Sequence, residues 1–596
     1  MPSLDAEPGS SDKTDRVAPS LIDPRCGDIE DDVASPKQSS LLAIAGNLLV
    51  EISLPKLVFA WTALLLLPAM LLGLAPLVAT AWLTALSDHL VELTELGALL
   101  VFIAIVAVGL WGWRPLWRMA ESNFWSLNAL IIQPGYVFGR ELLRHLAELT
   151  FARSWTAPGR ARLRAASSAA AGVVICGFAA AVIALVWPST RWIGTIGDLT
   201  LFHRLVLPTI ANAIVLVSAY LAVTALLWGF ADANMDQPLD LPAFDAEPSS
   251  QRHWRIAHLS DLHVVGERYG FRIESGRGGP RGNERLDRVL ARLASLHAAD
   301  PLDLVLVSGD MTDAGRATEW AEFLDAIARY PMLAARIVVV PGNHDLNIVD
   351  RANPARLDLP FSPAKRLRQM RTLSAMAAIQ GDRVHVVRGN GKGWPTLNEV
   401  LEPQRARIAE FAERGGLRLS IALEHVFHDQ FPMILPPREP DGLGVLLLNS
   451  NTESHFSFTN ALGFMSLEQT HRLAAAVDQF PKASWILAMH HHLLEYPMLV
   501  SFSERVGTAL VNGSWFIRKL RPFADRVVVM HGHRHIDWIG SCGLLKIVSA
   551  PSPVMGSTDD ASTHFHIHTL VARSDGRLSL LASERVDMTG IRGPSA

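Results

Sequence analysis

Two patterns of apolar residues divide the chain. Beyond residue 253 apolar residues come in short runs, but four long runs precede that point and lack Asp, Glu, Lys and Arg. Each is near or above the roughly 18–20 residues that a helix needs to cross about 30 Å of hydrocarbon. We therefore predict a helical membrane domain over residues 41–231, with about four transmembrane helices at residues 57–86, 96–113, 165–187 and 205–230. Whether 57–86 is one span is open, because Pro68 and Pro76 interrupt it.

The segments flanking these runs predict an orientation. Residues 1–40 are polar and predicted to be a disordered tail, and residues 41–54 are read as an interfacial amphipathic helix. The loop 114–164 holds eight arginines against three glutamates, whereas the neighbouring loops hold few basic residues. The positive-inside rule places this loop in the cytoplasm. The later half then faces the cytoplasm, so we expect a multi-pass protein of the cell's inner (cytoplasmic) membrane.

Composition excludes several classes of protein. Only 19% of residues are charged, and the mean hydropathy is +0.22, which agrees with membrane segments. The net charge of −4 gives no global basic field, so no nucleic-acid partner is expected. The three cysteines lie far apart, which excludes a disulfide scaffold and a cysteine-based zinc module. Nineteen of the 22 histidines lie beyond the Pro-, Asp- and Ser-rich linker 232–252, and this asymmetry directs attention to residues 253–596.

Residues 253–596 alternate short β-branched runs with amphipathic helical patterns, which predicts an α/β domain with its chemistry at strand ends. Five strand-like runs each end in potential metal ligands. In chain order these endings are Asp261 with His263, Asp310 with Asp313, Asn343 with His344 and Asp345, the triplet His490–His492, and His533 with His535.

This ligand chemistry suits two cations. Alternate residues leaving a strand point to one side, so Asp261 and His263 can hold one ion together, and His533 and His535 repeat the spacing. Asp310 follows a glycine and can bridge two ions, and Asn343 adds a neutral oxygen. Mixed Asp, His and Asn ligation favours divalent Mn, Fe or Zn. Two such ions can hold a bridging hydroxide for attack on a phosphate ester.

These motifs resemble the calcineurin-like metallophosphoesterase superfamily, whose pattern is D-x-H, G-D-x-x-D, G-N-H-D/E, a His-His block and G-H-x-H. The resemblance covers roughly residues 253–552 and implies a four-layer αββα sandwich. It implies a first metal held by Asp261, His263, Asp310 and His535, and a second held by Asp310, Asn343, His490 and His533. It also implies that His344 is the acid or electrophile at the leaving group, and that Asp313 and Asp345 orient the ligands and loops. His491 is the second choice for the ligand at the triplet.

The predicted function is membrane-anchored, metal-dependent hydrolysis of phosphodiester or phosphomonoester bonds by a metal-bridging hydroxide. The stretch 308–315 is similar to the branch containing bacterial cyclic-nucleotide phosphodiesterases, which is one alternative. The anchor favours a second, hydrolysis of a lipid phosphodiester or pyrophosphate. A third alternative is a non-catalytic membrane signalling or scaffold protein. The expected partners are a phosphate-ester substrate and membrane lipids, and the sequence leaves the oligomeric state open.

Two further features have less specific interpretations. The insertion 347–444 carries a basic patch, Lys365, Arg366, Arg368 and Arg371, that is either a solvated helix face or a contact for phosphate or anionic lipid. His258 and the alternating His564, His566 and His568 are expected to be structural. The runs 544–549, 563–572 and 577–583 are predicted to close the second sheet.

Overall fold

The structure is a computed structural model that divides the chain into two compact units. One contains Leu49–Gln237 with Val500–Val506, and the other contains Met1–Leu48, Pro238–Leu499 and Gly507–Ala596. Apart from a few isolated positions, the structure describes residues 62–91, 127–151, 156–246, 252–266, 283–349, 362–388, 393–452, 459–498, 507–555, 562–573 and 576–588. The predicted tail 1–40, the predicted interfacial helix 41–54 and most of the predicted span 96–113 lie outside the described residues.

The first unit is helical. Its described helices are α1 (Leu67–Val91), α2 (Gln133–Phe151), α3 (Ala157–Val186), α4 (Ile196–Thr200) and α5 (Phe202–Ala233). Short π-helical turns, Thr62–Leu66 and Asn128–Ile132, precede α1 and α2. Within the described residues, three helices are long and apolar enough to cross a membrane, over Leu67–Ser87, Pro158–Ser189 and His203–Ala233. They correspond to the first, third and fourth predicted runs.

Small residues let α3 and α5 pack closely. A Cβ added at Gly172 would lie 2.6 Å from the carbonyl oxygen of Ala225, and one at Gly229 would lie 2.9 Å from the Cα of Gly172. Close backbone approach at such residues is a common way for apolar helices to associate where water supplies no driving force.

Helix α2 is amphipathic in the reverse sense to a helix of a water-soluble protein. Its charged side chains are buried, among them Arg140, Glu141, Arg144 and Glu148. Arg140 Nη1 donates to Asp232 of α5 at 2.8 Å, and Arg144 Nη2 donates to Ser168 of α3 at 2.7 Å. The apolar side chains of α2 are instead exposed, and they include Phe138, Leu146, Leu149 and Phe151.

The second unit contains all the described strands. They are β1 (Leu239–Asp240), β2 (His253–Leu259), β3 (Leu304–Val307), β4 (Ile337–Val339), β5 (His385–Val386), β6 (Met433–Leu435), β7 (Leu443–Leu447), β8 (Ser484–Ala488), β9 (Val527–His531), β10 (Trp538–Cys542), β11 (Leu545–Ser549), β12 (His564–Ala572), β13 (Leu578–Leu580) and β14 (Glu584–Asp587). Its helices are α6 (Asn283–Ala299), α7 (Ala317–Ala328), α8 (Pro331–Ala334), α9 (Asn343–Leu346), α10 (Pro363–Gln380), α11 (Leu397–Leu401), α12 (Arg405–Arg414), α13 (Leu417–Ala422), α14 (Leu467–Gln479) and α15 (Gly513–Leu520).

These strands form two sheets. The larger has the order β1-β10-β11-β9-β8-β7-β6-β5, and the smaller has the order β13-β12-β2-β3-β4, with β14 paired to β12. Apolar side chains from both sheets, such as Val305, Ile486 and Val528, belong to one buried core. The two-sheet α/β sandwich is therefore confirmed. Of the predicted closing strands, β12 and β13 join the smaller sheet with β2, but β11 pairs with β9 in the larger sheet, which corrects that part of the prediction.

The insertion 347–444 extends the larger sheet, because its strands β5 and β6 add antiparallel to β7. The interpretation of its basic patch as a solvated face or a lipid contact is wrong, since all four side chains are buried in α10. Arg366 Nε donates to the Ser420 carbonyl at 3.1 Å, and Arg371 Nη1 donates to the Gly315 carbonyl at 3.2 Å. Arg368 is ion-paired with Asp358. These arginines tie α10 to surrounding loops.

Candidate metal centre

The topology brings the five predicted motifs together. Strands β2, β3 and β4 are parallel neighbours, as are β8 and β9, so the loops after them leave their sheets at the same ends. Asp261 and His263 follow β2, Asp310 follows β3, and Asn343 begins α9 after β4. His490 follows β8, and His533 and His535 follow β9. This is the edge at which open α/β sheets place their binding sites.

The backbone at these positions is strained. Among the described residues other than glycine, those with positive φ are Asp261 (56°), His263 (43°), Asp310 (52°), His533 (80°) and His535 (54°). A left-handed conformation costs an L-residue roughly 1–2 kcal/mol. All five are predicted metal ligands, so the fold maintains local strain at the positions whose side chains converge.

One group of side chains contains the predicted ligands of the first metal. His535 Nε2 lies 3.3 Å from Asp261 Oδ1 and 3.3 Å from His263 Nε2. Asp310 Oδ2 lies 3.8 Å from His263 Nε2. Two imidazole nitrogens that face each other at 3.3 Å share neither a strong hydrogen bond nor an apolar contact, but this spacing is normal for two ligands of one cation at about 2.0–2.1 Å.

A second group shares Asp310 with the first. His490 Nε2 lies 3.2 Å from Asp310 Oδ2, 3.0 Å from Asn343 Oδ1 and 3.2 Å from His533 Nδ1. His491 lies outside this group, because its Nδ1 contacts the Ser450 hydroxyl at 2.9 Å. The geometry thus brings together the predicted ligands of the second metal, with His490 and not His491 at the triplet.

Hydrogen bonds fix how two of these imidazoles present their nitrogens. His490 Nδ1 lies 2.9 Å from the Ser308 carbonyl oxygen, and His263 Nδ1 lies 3.2 Å from Asp313 Oδ1. A carbonyl or carboxylate oxygen can only accept, so each Nδ1 carries a proton, and Nε2 is the nitrogen that faces the centre. This is the usual arrangement behind histidine ligands of metals.

Buried carboxylates make the centre strongly negative. Burial opposes ionisation, but His535 lowers the pKa of Asp261 to about 2. Burial also opposes ionisation of Asp310, yet His490 and His344 hold the pKa of Asp310 well below its usual range. In return, against the effect of burial, Asp310 raises the pKa of His490 to about 9. Both carboxylates are therefore ionised at neutral pH.

His344 lies beside the first group without completing it. Its Nδ1 donates to the Asp313 carbonyl oxygen at 2.7 Å, so its Nε2 is available for a proton or a lone pair. Its ring is 4.6 Å from that of His263, and its backbone N–H donates to Asp310 Oδ1 at 2.8 Å. A nitrogen of His344 also lies within 4.8 Å of ligand atoms of His263 and Asp310, so metal ligation by His344 remains an alternative to proton transfer.

Asp345 holds two loops of the site together. Its Oδ1 accepts from the backbone N–H of Thr312 at 2.9 Å and from the Thr312 hydroxyl at 2.7 Å, and its Oδ2 accepts from the N–H of Gly342 at 2.8 Å. Burial and the charge of Asp310 raise the pKa of Asp345 to about 7. Asp345 thus joins the segments that carry Asp310 and Asn343, and its orienting role stays a prediction.

Glycines permit the close approach of these loops. A Cβ at Gly342 would lie 2.1 Å from Asp310 Oδ1, and one at Gly309, whose φ is +106°, would lie 2.3 Å from His490 Nδ1. Any side chain at either position would displace a predicted ligand.

The contacts that support the His490–His492 triplet are not evident from the sequence. His492 Nε2 lies 3.2 Å from Glu495 Oε1, and Arg534 Nη1 donates to Glu495 Oε2 at 3.0 Å. The His492 ring stacks near that of His533 at 6.0 Å. Glu495 is three residues after His492 and Arg534 lies between two predicted ligands, but neither spacing distinguishes them from ordinary loop residues.

The donor set fits divalent cations. Asp261 Oδ1 is buried and makes no hydrogen bond of good geometry among the described residues, although His535 Nε2 lies 3.3 Å away. Such an oxygen is costly to bury unless a cation or water satisfies it. Two carboxylates, four imidazoles and one amide oxygen converge without a lysine or arginine among them. The residues present therefore suit two ions of the Mn, Fe or Zn type.

Residues 255–537 match the profile of the calcineurin-like phosphoesterase family. This part of the chain is therefore a calcineurin-like metallophosphoesterase domain, a class of phosphate-ester hydrolases.

The glycerophosphodiester phosphodiesterase GpdQ of Enterobacter lignolyticus is 25% identical over 248 residues, which cover 40% of this chain and 71% of that enzyme. Two solved structures are also similar. A dimetal phosphatase from Danio rerio has 10% identity and a TM-score of 0.30, and the similarity covers 56% of this chain and 98% of that one. A Staphylococcus aureus protein solved as a candidate 5′-nucleotidase with α-ketoglutarate has 11% identity and a TM-score of 0.28, covering 57% of this chain and 55% of that one.

Proposed function

We propose that this protein is a membrane-anchored, metal-dependent phosphoesterase that hydrolyses phosphodiesters on the cytoplasmic face of the membrane. The observation that carries the proposal is the convergence of five candidate ligands in adjoining groups, all with their backbone in strained conformations: Asp261, His263, Asp310, His533 and His535. A domain that only binds a partner has no need for five ligands of this chemistry.

Each group of the centre has a role that follows from its contacts. Asp310 lies in both ligand groups and would bridge two cations held by Asp261, His263, His535, Asn343, His490 and His533. When bound, the cations would supply an activated water and neutralise the charge of the phosphate ester. Asp313 fixes the ring of His263, and Asp345 fixes the loop of Asn343.

We propose that His344 assists the leaving group. Because Nδ1 is committed to the Asp313 carbonyl, only Nε2 can give a proton to the departing alkoxide. The side chain is 10% exposed, so water competes little for that position.

The substrate class is proposed as phosphodiesters. The support is the similarity to GpdQ, a glycerophosphodiester phosphodiesterase, over most of that enzyme. The similarity to GpdQ adds glycerophosphodiesters to the candidate substrates, which already include the cyclic nucleotides and lipid phosphodiesters suggested by the sequence. All three classes contain a phosphate group that is esterified twice.

Anchoring is proposed from the helical unit. Three helices are long and apolar enough to cross a membrane, and α2 exposes Phe138, Leu146, Leu149 and Phe151 while it buries its charges. An exposed apolar stripe of this kind suits a helix that lies in the membrane interface. The cytoplasmic orientation rests on the arginines of the loop 114–164. Arg140, Arg144 and Arg164 of that loop are paired with carboxylates, but acidic residues count little in the positive-inside rule.

The proposal is tested with the full chain purified in detergent and supplied with Mn²⁺. We expect hydrolysis of bis-p-nitrophenyl phosphate to exceed that of p-nitrophenyl phosphate, and activity to vanish on chelation and return with metal. A chain that binds the metal but hydrolyses neither compound would support the non-catalytic scaffold instead. Parallel assays with glycerophosphocholine, cyclic AMP and a phospholipid in mixed micelles then rank the substrates.

A further inference from the structure

A second cluster of metal-ligand chemistry lies in a part of the domain that the catalytic proposal does not use. Asp537, between β9 and β10, meets His564 and His566 of β12. His564 Nε2 lies 2.8 Å from Asp537 Oδ2, and His566 Nε2 lies 3.0 Å from Asp537 Oδ1. The three ligand atoms lie within 4.8 Å of one another.

The strand geometry explains why two histidines reach one carboxylate. His564 and His566 are two residues apart in β12, so their side chains leave the same face of the strand. Asp537 comes from the other sheet, directly before β10, and its two oxygens each face one imidazole. The rings are nearly perpendicular, at 89° with centroids 5.3 Å apart, so both Nε2 atoms point inward without stacking.

We propose that Asp537, His564 and His566 form a separate site for a divalent transition metal, of which Zn²⁺ is the best match. Two imidazoles and one carboxylate are the ligands that Zn²⁺ and its neighbours prefer, and three protein ligands leave a position for water or another ligand. The ligand atoms are spaced close to what ions with bonds of about 2.0–2.2 Å permit.

The three side chains differ in their exposure to solvent in a way that suits a metal site. The side chains of His564 and His566 are 14% and 11% exposed, whereas that of Asp537 is 34% exposed. An ion can therefore enter from solvent beside Asp537 while the imidazoles stay shielded. The Nδ1 of His566 is buried without a hydrogen-bond partner among the described residues, so no second contact commits this ring to the protonated, doubly donating form.

One neighbouring charge opposes a cation. Arg585 Nη1 lies 3.9 Å from Asp537 Oδ2, and Arg585 Nε donates to Asp587 at 2.9 Å. The Arg585 side chain is 49% exposed, so it can move away at little cost. A substitution of Arg585 can therefore distinguish a metal site from a cluster that is held together only by ion pairs.

The site would join the two sheets. Asp537 lies two residues after His535, at the start of the larger sheet's β10, and the histidines belong to the smaller sheet. A bound ion would hold the segment that ends the His533–His535 motif against β12. The proposal does not depend on hydrolytic activity.

The test counts zinc bound to the full chain in detergent after dialysis, by elemental analysis. We expect His564→Gln and His566→Gln each to bind one Zn²⁺ fewer per chain than the unaltered protein, and His564→Cys, which keeps a ligand, to retain it. His471→Gln, at an exposed position of α14, is the matched control and should change nothing. Equal counts in the unaltered protein and in both glutamine variants would overturn the proposal.

Arg585→Gln supplies a second test that does not remove a ligand. With the opposing charge gone, we expect the affinity of this site for Zn²⁺ to rise about fivefold in competition with a chromophoric chelator. If Arg585 only balances Asp537 in an ion-pair cluster, the substitution leaves zinc affinity unchanged, and the proposal fails. If the unaltered protein hydrolyses no phosphodiester but still binds one Zn²⁺ more than the glutamine variants, only the proposed catalytic function fails. The two proposals therefore fail separately.

Discussion

The helical unit and the candidate metal centre of the sandwich bury charge in opposite ways. In the helical unit, buried charges neutralise one another in pairs: Arg140 with Asp232, Arg144 with Glu141, and Arg164 and Arg505 with Glu148. In the sandwich, buried carboxylates and imidazoles converge without a lysine or arginine among them. Paired charges need no further partner, whereas a convergent cluster of ligands does.

This contrast distinguishes buried charges with a structural role from those of a candidate metal site more clearly than burial alone does. Arg505 and Asp261 are both almost fully buried, at 1% and 0% exposure. The backbone adds a second criterion, because the positive φ values among described non-glycine residues all fall in the sandwich cluster and none in the helical unit. Strain that the fold maintains at converging ligands is typical of functional sites.

The largest effect is expected from a substitution that disrupts the cluster of candidate metal ligands. Asp310→Asn removes the carboxylate shared by both ligand groups, so we expect hydrolysis of bis-p-nitrophenyl phosphate to fall at least about 10³-fold. Asp287→Asn, which removes one partner of an exposed ion pair with Arg329, is the matched control and should keep full activity. Full activity in the Asp310 variant would remove the metal assignment.

The corresponding substitution in the helical unit disrupts buried ion pairs. Glu148→Gln leaves the buried Arg164 and Arg505 without their carboxylate, so we expect a loss of about 3–5 kcal/mol in the free energy of unfolding. Glu410→Gln, at an exposed pair with Arg414, should cost less than about 1 kcal/mol. Denaturation in detergent measures both, and similar stabilities would show that the Glu148 network contributes little.

His344→Ala distinguishes a proton donor from a ligand. We expect turnover to fall about 10²-fold or more, as for loss of a general acid, with the metal content unchanged. His471→Ala is the surface control. Substrates with better leaving groups should lose less, because they need less protonation. A parallel loss of metal would instead make His344 a ligand.

Glu319 gives a pH-dependent comparison outside the ligand set. Burial and the nearby Asp313 raise the pKa of Glu319 to about 8, far above its value in an unfolded chain. The stability that Glu319 contributes is therefore lost as the pH rises from about 4.5 to 8, by up to about 1.4 kcal/mol per pH unit. Glu319→Gln should flatten this dependence in denaturant unfolding across that range. An unchanged slope would mean that Glu319 ionises normally.

The smallest expected effect isolates backbone strain. Asp310→Gly and Asp310→Ala both delete the carboxylate, but only glycine adopts φ of 52° without strain. After the greater flexibility of glycine in the unfolded chain is subtracted, we expect the glycine variant to be more stable by about 0.5–1 kcal/mol in denaturant unfolding. Greater stability of the alanine variant would argue that the left-handed backbone stores no strain there.

Sequence reasoning was most accurate where local pattern and long-range structure coincide. The runs before Asp261, Asp310, Asn343, His490 and His533 read as strands, and parallel pairing then brings their ends together. The choice between His490 and His491 depends on which ring reaches the Ser308 carbonyl, a contact across 182 residues that no local pattern encodes.

Sequence reasoning was least accurate where a charged helix face turns inward. The arginines of α10 look solvated in sequence, but carbonyl groups of distant loops, at Gly315 and Ser420, accept their hydrogen bonds. Helix α2 likewise buries Arg140 and Arg144 because α3 and α5 supply the partners. The periodicity of a helix defines its faces, but it does not say which face packs inward.

The most direct test of the central claim is electron paramagnetic resonance of the full chain loaded with Mn²⁺. If Asp310 bridges two ions, the spectrum shows spin-coupled manganese in the wild-type protein and only uncoupled ions in Asp310→Asn. Uncoupled manganese in the wild-type protein, or the same coupling in both proteins, would contradict a centre built around Asp310.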